Sequence, residues 1–308
     1  MTTEVGKRIA ILKDRIKYGV LPAMATPLSE DGQHINESGI KSLVDFLVDA
    51  GVKGLFIGGT TGEGILLTEE QRITLHESAV DAIGGRIPAL IHVGANTSSQ
   101  SLRLVQHARE IDADAIVAVT PFFYPIHDEA LLTYYHTLAD AAPDIPLFAY
   151  DIPQMAINRI APAMIPRLIE MMPSFAGLKS SRADAQLIRR LVDVASGRTI
   201  VLAGNERIAL GSLALGVDGL ISGLSTAVPE PFVSMVHAFA SGDIDQARLE
   251  QKRINRILDM IPFGARIGAI KTILAERGFA AGPAIPPRPM PDEEWSAWSR
   301  ISRELAAE

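Results

Sequence analysis

Cysteine is missing from all 308 residues, which excludes disulfides, thiolate metal sites and a cysteine nucleophile. A chain kept in a reducing compartment has this composition. Basic clusters are missing too. The 29 Lys and Arg are outnumbered by 36 Asp and Glu, for a net charge of -7, which argues against nucleic acid and an anionic membrane as partners. No apolar run reaches the roughly 18 residues that span a bilayer, and the opening MTTEVGKRIAILKDRIKYG has no apolar core of signal-peptide length. The expectation is a cytoplasmic protein. The seven histidines (His34, His76, His92, His107, His127, His136 and His237) form no HExxH or comparable pair, so no metal is expected. His92, inside a strand candidate, reads as a satisfied core histidine. There is no Gly-x-Ser-x-Gly elbow for a serine hydrolase.

What the chain does have is 47% hydrophobic residues arranged in a regular alternation. Short, near-continuous apolar runs, typical of parallel strands covered on both faces, occur at 19–27, 52–59, 87–94, 115–121, 146–153, 175–181, 199–204 and 219–225. Helical periodicity fills the gaps, as in IKSLVDFLVDAG and LRLVQHAREID. The starts lie about 20 to 35 residues apart, the length of one strand–helix unit. Eight such units predict an α/β fold, a (β/α)₈ TIM barrel over residues 1–230. A doubly wound sheet is the rival, but no Gly-x-Gly-x-x-Gly follows the first strand. Residues 231–308 read as the eighth barrel helix and a C-terminal helical extension, with helical runs at 232–242, 244–261, 265–278 and 293–305. The proline-rich GPAIPPRPMPDEE precedes the last of them, and a short helix carrying Ile9, Leu12 and Ile16 leads the chain.

In a barrel of this kind the active site lies where strands end and βα loops begin. Lys179 follows Phe-Ala-Gly-Leu on the sixth strand candidate. Pointing into the mouth, it would share a face with Gly177, whose missing side chain would leave room for the lysine stem. Withdrawal from water disfavours an ammonium, and a neutral amine attacks carbonyls. The alternative is an ion pair with Asp151 or Glu206. Tyr150 ends the fifth strand candidate at the same level and suits proton transfer, or else is a core tyrosine with its hydroxyl at the rim. After the second strand, GGTTGE (58–63) sets glycines around Thr60 and Thr61. Successive N–H groups there make an anion nest that fits a carboxylate. Ile65 stands where a phosphate-binding loop needs lysine. A plain tight turn is the other reading. AGNERIA and SGLSTAVPE are weak candidates for a phosphate site in the seventh and eighth loops.

Taken in order, the glycine–threonine turn, AYDIP, AGLKSS and the loop VTPFFYP resemble the dihydrodipicolinate synthase / N-acetylneuraminate lyase family of class I aldolases, over almost the whole chain. The resemblance implies a lysine Schiff base at Lys179 with a 2-oxo acid, of the 2-keto-3-deoxy sugar acid type with pyruvate as product or donor. It implies that Thr60, Thr61, Gly59 and Gly62 hold the carboxylate, and that Tyr150 shuttles protons with Thr60. No metal or organic cofactor is implied, and the assembly is a homotetramer, a dimer of dimers. Ser181, Gly204, Glu206 and Ile221 stand at substrate-binding positions. The synthases' arginine is replaced by Met155, and the tyrosine supplied by a neighbouring subunit by Phe123, so these two suggest an apolar wall. Asp151, in place of the commoner asparagine, adds a charge near the amine. Arg207 beside Glu206 suggests a substrate with another anionic or polar end. A Schiff-base dehydratase, dihydrodipicolinate synthase and a non-catalytic 2-oxo-acid-binding barrel remain as alternatives.

Overall fold

The computed structural model describes residues 3–306. All eight strands form: β1 (Gly19–Pro22), β2 (Leu55–Ile57), β3 (Ala89–His92), β4 (Ala115–Val119), β5 (Leu147–Asp151), β6 (Phe175–Ser180), β7 (Ile200–Ala203) and β8 (Gly219–Ser222). Each pairs in parallel with its sequence neighbour, and β8 returns to β1. β2 meets the end of β1 through a parallel bridge between Ala23 and Phe56, so the sheet closes into the expected barrel. The strands are shorter than the apolar runs that announced them. Most of the surplus residues follow the strands, as the strand-end segments that build the mouth.

Side chains alternate between two apolar clusters. Leu21, Phe56, Leu90, Val117, Phe148 and Leu202 fill the barrel. Their neighbours Val20, Leu55, Ile91, Ile116, Leu147 and Val201 face the surrounding helices. Two covered faces explain why the runs are continuous instead of alternating. The leading helix, Glu4–Ile16, packs Leu12 and Ile16 against the inner cluster, closing the end opposite the mouth.

After β8 the helix Glu230–Ser241 packs on β1 as the eighth barrel helix, followed by Ile244–Asp259, Arg266–Glu276 and Trp298–Ala306. These helices bury Phe232, Ile257, Ile273 and Ile301 in the same cluster as the barrel helices. The last helix starts at Trp298, not at Glu293 as periodicity suggests. The Glu276 carboxylate accepts from the Ala297 and Trp298 N–H groups at 3.4 and 2.9 Å, which fixes the start there. Among the described residues no helix is long and apolar enough to cross a membrane.

Candidate active site

Lys179 and Tyr150 are register partners on β6 and β5. The lysine is 4% exposed. Its Nζ lies 4.1 Å from the centroid of the Tyr150 ring and 4.5 Å from that of Phe56. Among the described residues it has no carboxylate partner, because both candidate acids are engaged elsewhere. Asp151, fully buried, is held by Arg182 at 2.7 Å and accepts from Ser180 and the Ile160 N–H. Its charge is therefore neutralised on the far face of β5 and is not added to the amine, contrary to the expectation. Glu206 pairs with Arg266 at 2.5 Å and accepts from Ser222 and the Leu224 N–H, each at 2.9 Å. That carboxylate wall also fills the eighth-loop donors, which removes SGLSTAVPE as a phosphate site.

The room for the lysine stem comes from a different glycine than expected. A Cβ on Gly177 would fall 1.9 Å from the Ile200 carbonyl oxygen, so this glycine admits the backbone of β7 at a register shift between β5 and β6. A Cβ on Gly204 would lie 3.1 Å from Lys179 Cε and 2.4 Å from Ser181 Oγ. Gly204 is thus the residue whose missing side chain accommodates the amine and the neighbouring hydroxyl.

Opposite the lysine, Thr60 Oγ1 is 3.1 Å from the Tyr150 hydroxyl. The turn that carries Thr60 is held from three sides. Thr26 Oγ1 donates to the Gly62 carbonyl at 2.5 Å. Thr68 and Gln71 form a capping box that starts the helix Glu69–Ile83 directly after the turn. Glu63, at φ +56, lies in the left-handed region that disfavours a side chain. Its carboxylate is paired at 3.0 Å with Lys271, both side chains fully buried, and accepts from the Ile285 N–H at 2.8 Å. The N–H groups of Thr60 and Thr61, which border the cavity, have no hydrogen-bond partner among the described residues. A small carboxylate would satisfy them.

A cavity of about 480 Å³ opens on Lys179, Thr60, Thr61, Tyr150, Met155 and Ser181, with Gly204, Glu206, Arg207 and Ile221 also on its wall. A second, of about 390 Å³, lies past Tyr150 and is lined by Gly59, Ile65, Leu66, His92, Val119 and Phe122 among others. Gly62 reaches neither; its part is to shape the turn. Phe123 also reaches neither. Its backbone is at φ +73 and its ring is 77% exposed, so the apolar wall expected from it within this chain is absent, and Phe122 lines the second cavity instead. Arg207 is paired with Asp259 at 2.8 Å and is not a free cation.

Several residues of the site carried no sequence signal. Asn158 donates to the Pro121 and Tyr124 carbonyls and accepts from the Ile126 N–H, pinning the loop after β4. His92 is buried at the end of β3, and its ring also borders the second cavity. Arg72 Nη2 lies 3.4 Å from His92 Nδ1, and an arginine only donates, so Nδ1 accepts and the proton sits on Nε2. Nε2 is buried beside the second cavity and faces the Gly58 carbonyl. Burial holds this imidazole neutral, with Arg72 and Lys179 adding to the effect and the Gly58 carbonyl opposing it. Burial also lowers Arg72 itself to about 10. From the extension, Pro287 and Arg288 lie at the mouth. Only the loss of helical periodicity in GPAIPPRPMPDEE hinted at a segment free to cross it.

The sequence over residues 17–303 matches the dihydrodipicolinate synthetase family. An uncharacterized DapA-like lyase of Halobacterium salinarum is 32% identical over 281 residues, 91% of each chain. The sialic acid aldolase of Ruminococcus gnavus superposes with a TM-score of 0.89 at 26% identity, covering 95% of this chain and 97% of that one. A prophage protein of the dihydrodipicolinic acid synthase family from E. coli K12, solved in complex with pyruvate, superposes at 0.84 with 26% identity, over 94% of this chain and 96% of that one.

Proposed function

The chain belongs to the dihydrodipicolinate synthetase family, whose members are carbon–carbon lyases, and from that premise we propose that it breaks or forms a carbon–carbon bond of a 2-oxo acid through an imine on Lys179. The observation that carries the reading is a lysine 4% exposed, with no carboxylate partner among the described residues, opening on a cavity beside the Thr60–Tyr150 hydroxyl pair.

The substrate carboxylate sits on the N–H groups of Thr60 and Thr61 with their hydroxyls, which aims the 2-oxo carbon at Nζ. The amine adds to that carbon, and the carbinolamine loses water to give an iminium. In the cleavage direction the C3–C4 bond breaks, and its electron pair moves onto the iminium to give an enamine. The C4 hydroxyl passes its proton to the Tyr150 oxygen as the tyrosine passes its own along Thr60, and an aldehyde leaves. Protonation of the enamine at C3 and hydrolysis return pyruvate and the free amine. The iminium is the electron sink, so these steps draw on no metal or organic cofactor. A 2-keto-3-deoxy sugar acid fits the chemistry. The family's own description favours a second reading on the same residues, synthesis, in which the pyruvate enamine attacks a second carbonyl compound.

Borohydride reduction with pyruvate, read by intact and peptide mass, tests the proposal. The expected result is one reduced adduct per chain at Lys179, absent in Lys179→Met. Full turnover by Lys179→Met would remove the covalent route. Pyruvate release from a 2-keto-3-deoxy sugar acid separates cleavage from dehydration of the same acid.

A further inference from the structure

Four of the five charged residues on the wall of the Lys179 cavity have assigned places. Glu206 is paired with Arg266, Arg207 is paired with Asp259, and Lys179 faces the reacting carbon in the proposed mechanism. The fifth is Arg288. It is half-buried, and its guanidinium has no ion pair or hydrogen bond among the described residues. Five residues line both cavities, namely Thr60, Tyr150, Ile152, Met155 and Arg288, and Arg288 alone of these is charged. It therefore stands at the seam where a chain extending from the imine past Tyr150 and Met155 would pass.

The segment that carries Arg288 is fixed to the anion turn. The Ile285 N–H donates to Glu63 at 2.8 Å, and the Arg288 N–H donates to the Ile285 carbonyl at 3.0 Å. Lys271, the buried partner of Glu63, also donates to the Pro283 carbonyl at 2.6 Å. One ion pair thus sets both the nest for the first carboxylate and the position of a cation beyond it. A half-buried guanidinium without a counterion favours an oxyanion, which it binds through two parallel N–H donors.

We infer that Arg288 is a specificity-determining residue that binds a terminal oxyanion, carboxylate or phosphate, on the far end of the 2-oxo acid. The substrate is then an acid at both ends, with Thr60 and Thr61 holding one and Arg288 the other. This rests on the proposed imine chemistry.

The test is competition against pyruvate for borohydride trapping at Lys179 by three acids. These are 2-oxoglutarate, 2-oxopentanoate of the same length with a methyl end, and 2-oxo-4-phosphonobutanoate. At least one oxyanion-ended acid is expected to half-saturate at about tenfold lower concentration or better than 2-oxopentanoate, the ratio for one charged hydrogen-bonded contact. Which of the two does so identifies the terminal group. Arg288→Met is expected to bring that ratio near one, and Arg288→Lys to keep part of it. Because a ratio is read, general damage to the site cancels. An absent preference in the unaltered enzyme, or one that survives Arg288→Met, overturns the inference while leaving the imine intact. Failure of pyruvate itself to trap overturns the imine reading and this inference with it.

Discussion

The hydroxyls of Thr60 and Tyr150, 90 positions apart in the chain, lie 3.1 Å from each other at the mouth of the barrel. Thr60 belongs to the anion turn and Tyr150 to the end of β5, so this contact ties substrate binding to proton transfer. Tyr150→Phe keeps the ring that packs on Phe56 and His92 and removes only the relay. Its kcat is expected to fall roughly 10²- to 10⁴-fold with a smaller change in KM. Thr60→Val should add little to that loss, since the two hydroxyls act as one unit. Independent, multiplicative losses in the double variant would separate them.

The buried Glu63–Lys271 pair is expected to dominate the stability of the turn. Lys271→Met leaves a carboxylate uncompensated in the interior, a change that costs about 3–5 kcal/mol. The midpoint of denaturant unfolding should drop accordingly, and Glu63→Gln combined with Lys271→Met should recover much of it. Equal stability of Lys271→Met and the parent would show that the pair contributes nothing.

Acid should destabilise the fold before it titrates most carboxylates. His76 and His92 are both held well below the ordinary imidazole value of 6.5, by burial first and then by Arg72. His107 adds to the effect at His76 and Lys179 at His92. Below 6.5 the unfolded chain takes up protons that the folded chain refuses, so stability is present above that pH and is lost as pH falls through it. Each imidazole contributes a slope that rises toward a limit of about 1.4 kcal/mol per pH unit as the pH falls below that value. Urea midpoints measured down to about pH 5.5 should fall steeply, and less so in His76→Phe combined with His92→Gln. A flat profile in the parent would contradict this account.

Phe123 and Tyr124 stack edge to face with centroids 4.9 Å apart and are 77% and 72% exposed. A bulky residue at φ +73 is a strained arrangement that needs support from elsewhere. A second copy of the chain covering this pair is the expected support, in keeping with the homotetramer that the family resemblance implies. Phe123→Asp should shift the mass seen by light scattering toward smaller species. An unchanged mass would place the interface elsewhere.

The barrel and the core of the site were legible because each has a local signature. Covered strands read as apolar runs, and a lysine or tyrosine ending such a run must emerge at the mouth. Spacing places Gly204 at the site, but strand alternation credits Gly177 with the stem room, and a register shift at β6 turns that position toward the backbone of β7 instead. Phe123 was legible as a departure from the family pattern and illegible in direction, since its outward pose depends on one left-handed backbone angle.

By itself, then, the sequence determined the eight strand–helix units and the residues that end them, because both follow from spacing along the chain. Only the tertiary structure decided which charges are neutralised. Asp151 goes to Arg182, Arg207 to Asp259, Glu206 to Arg266 and Glu63 to Lys271, leaving Arg288 unpaired among the described residues. Most of these partners lie far apart in sequence, and an ion pair depends on distance in space, which no local periodicity records.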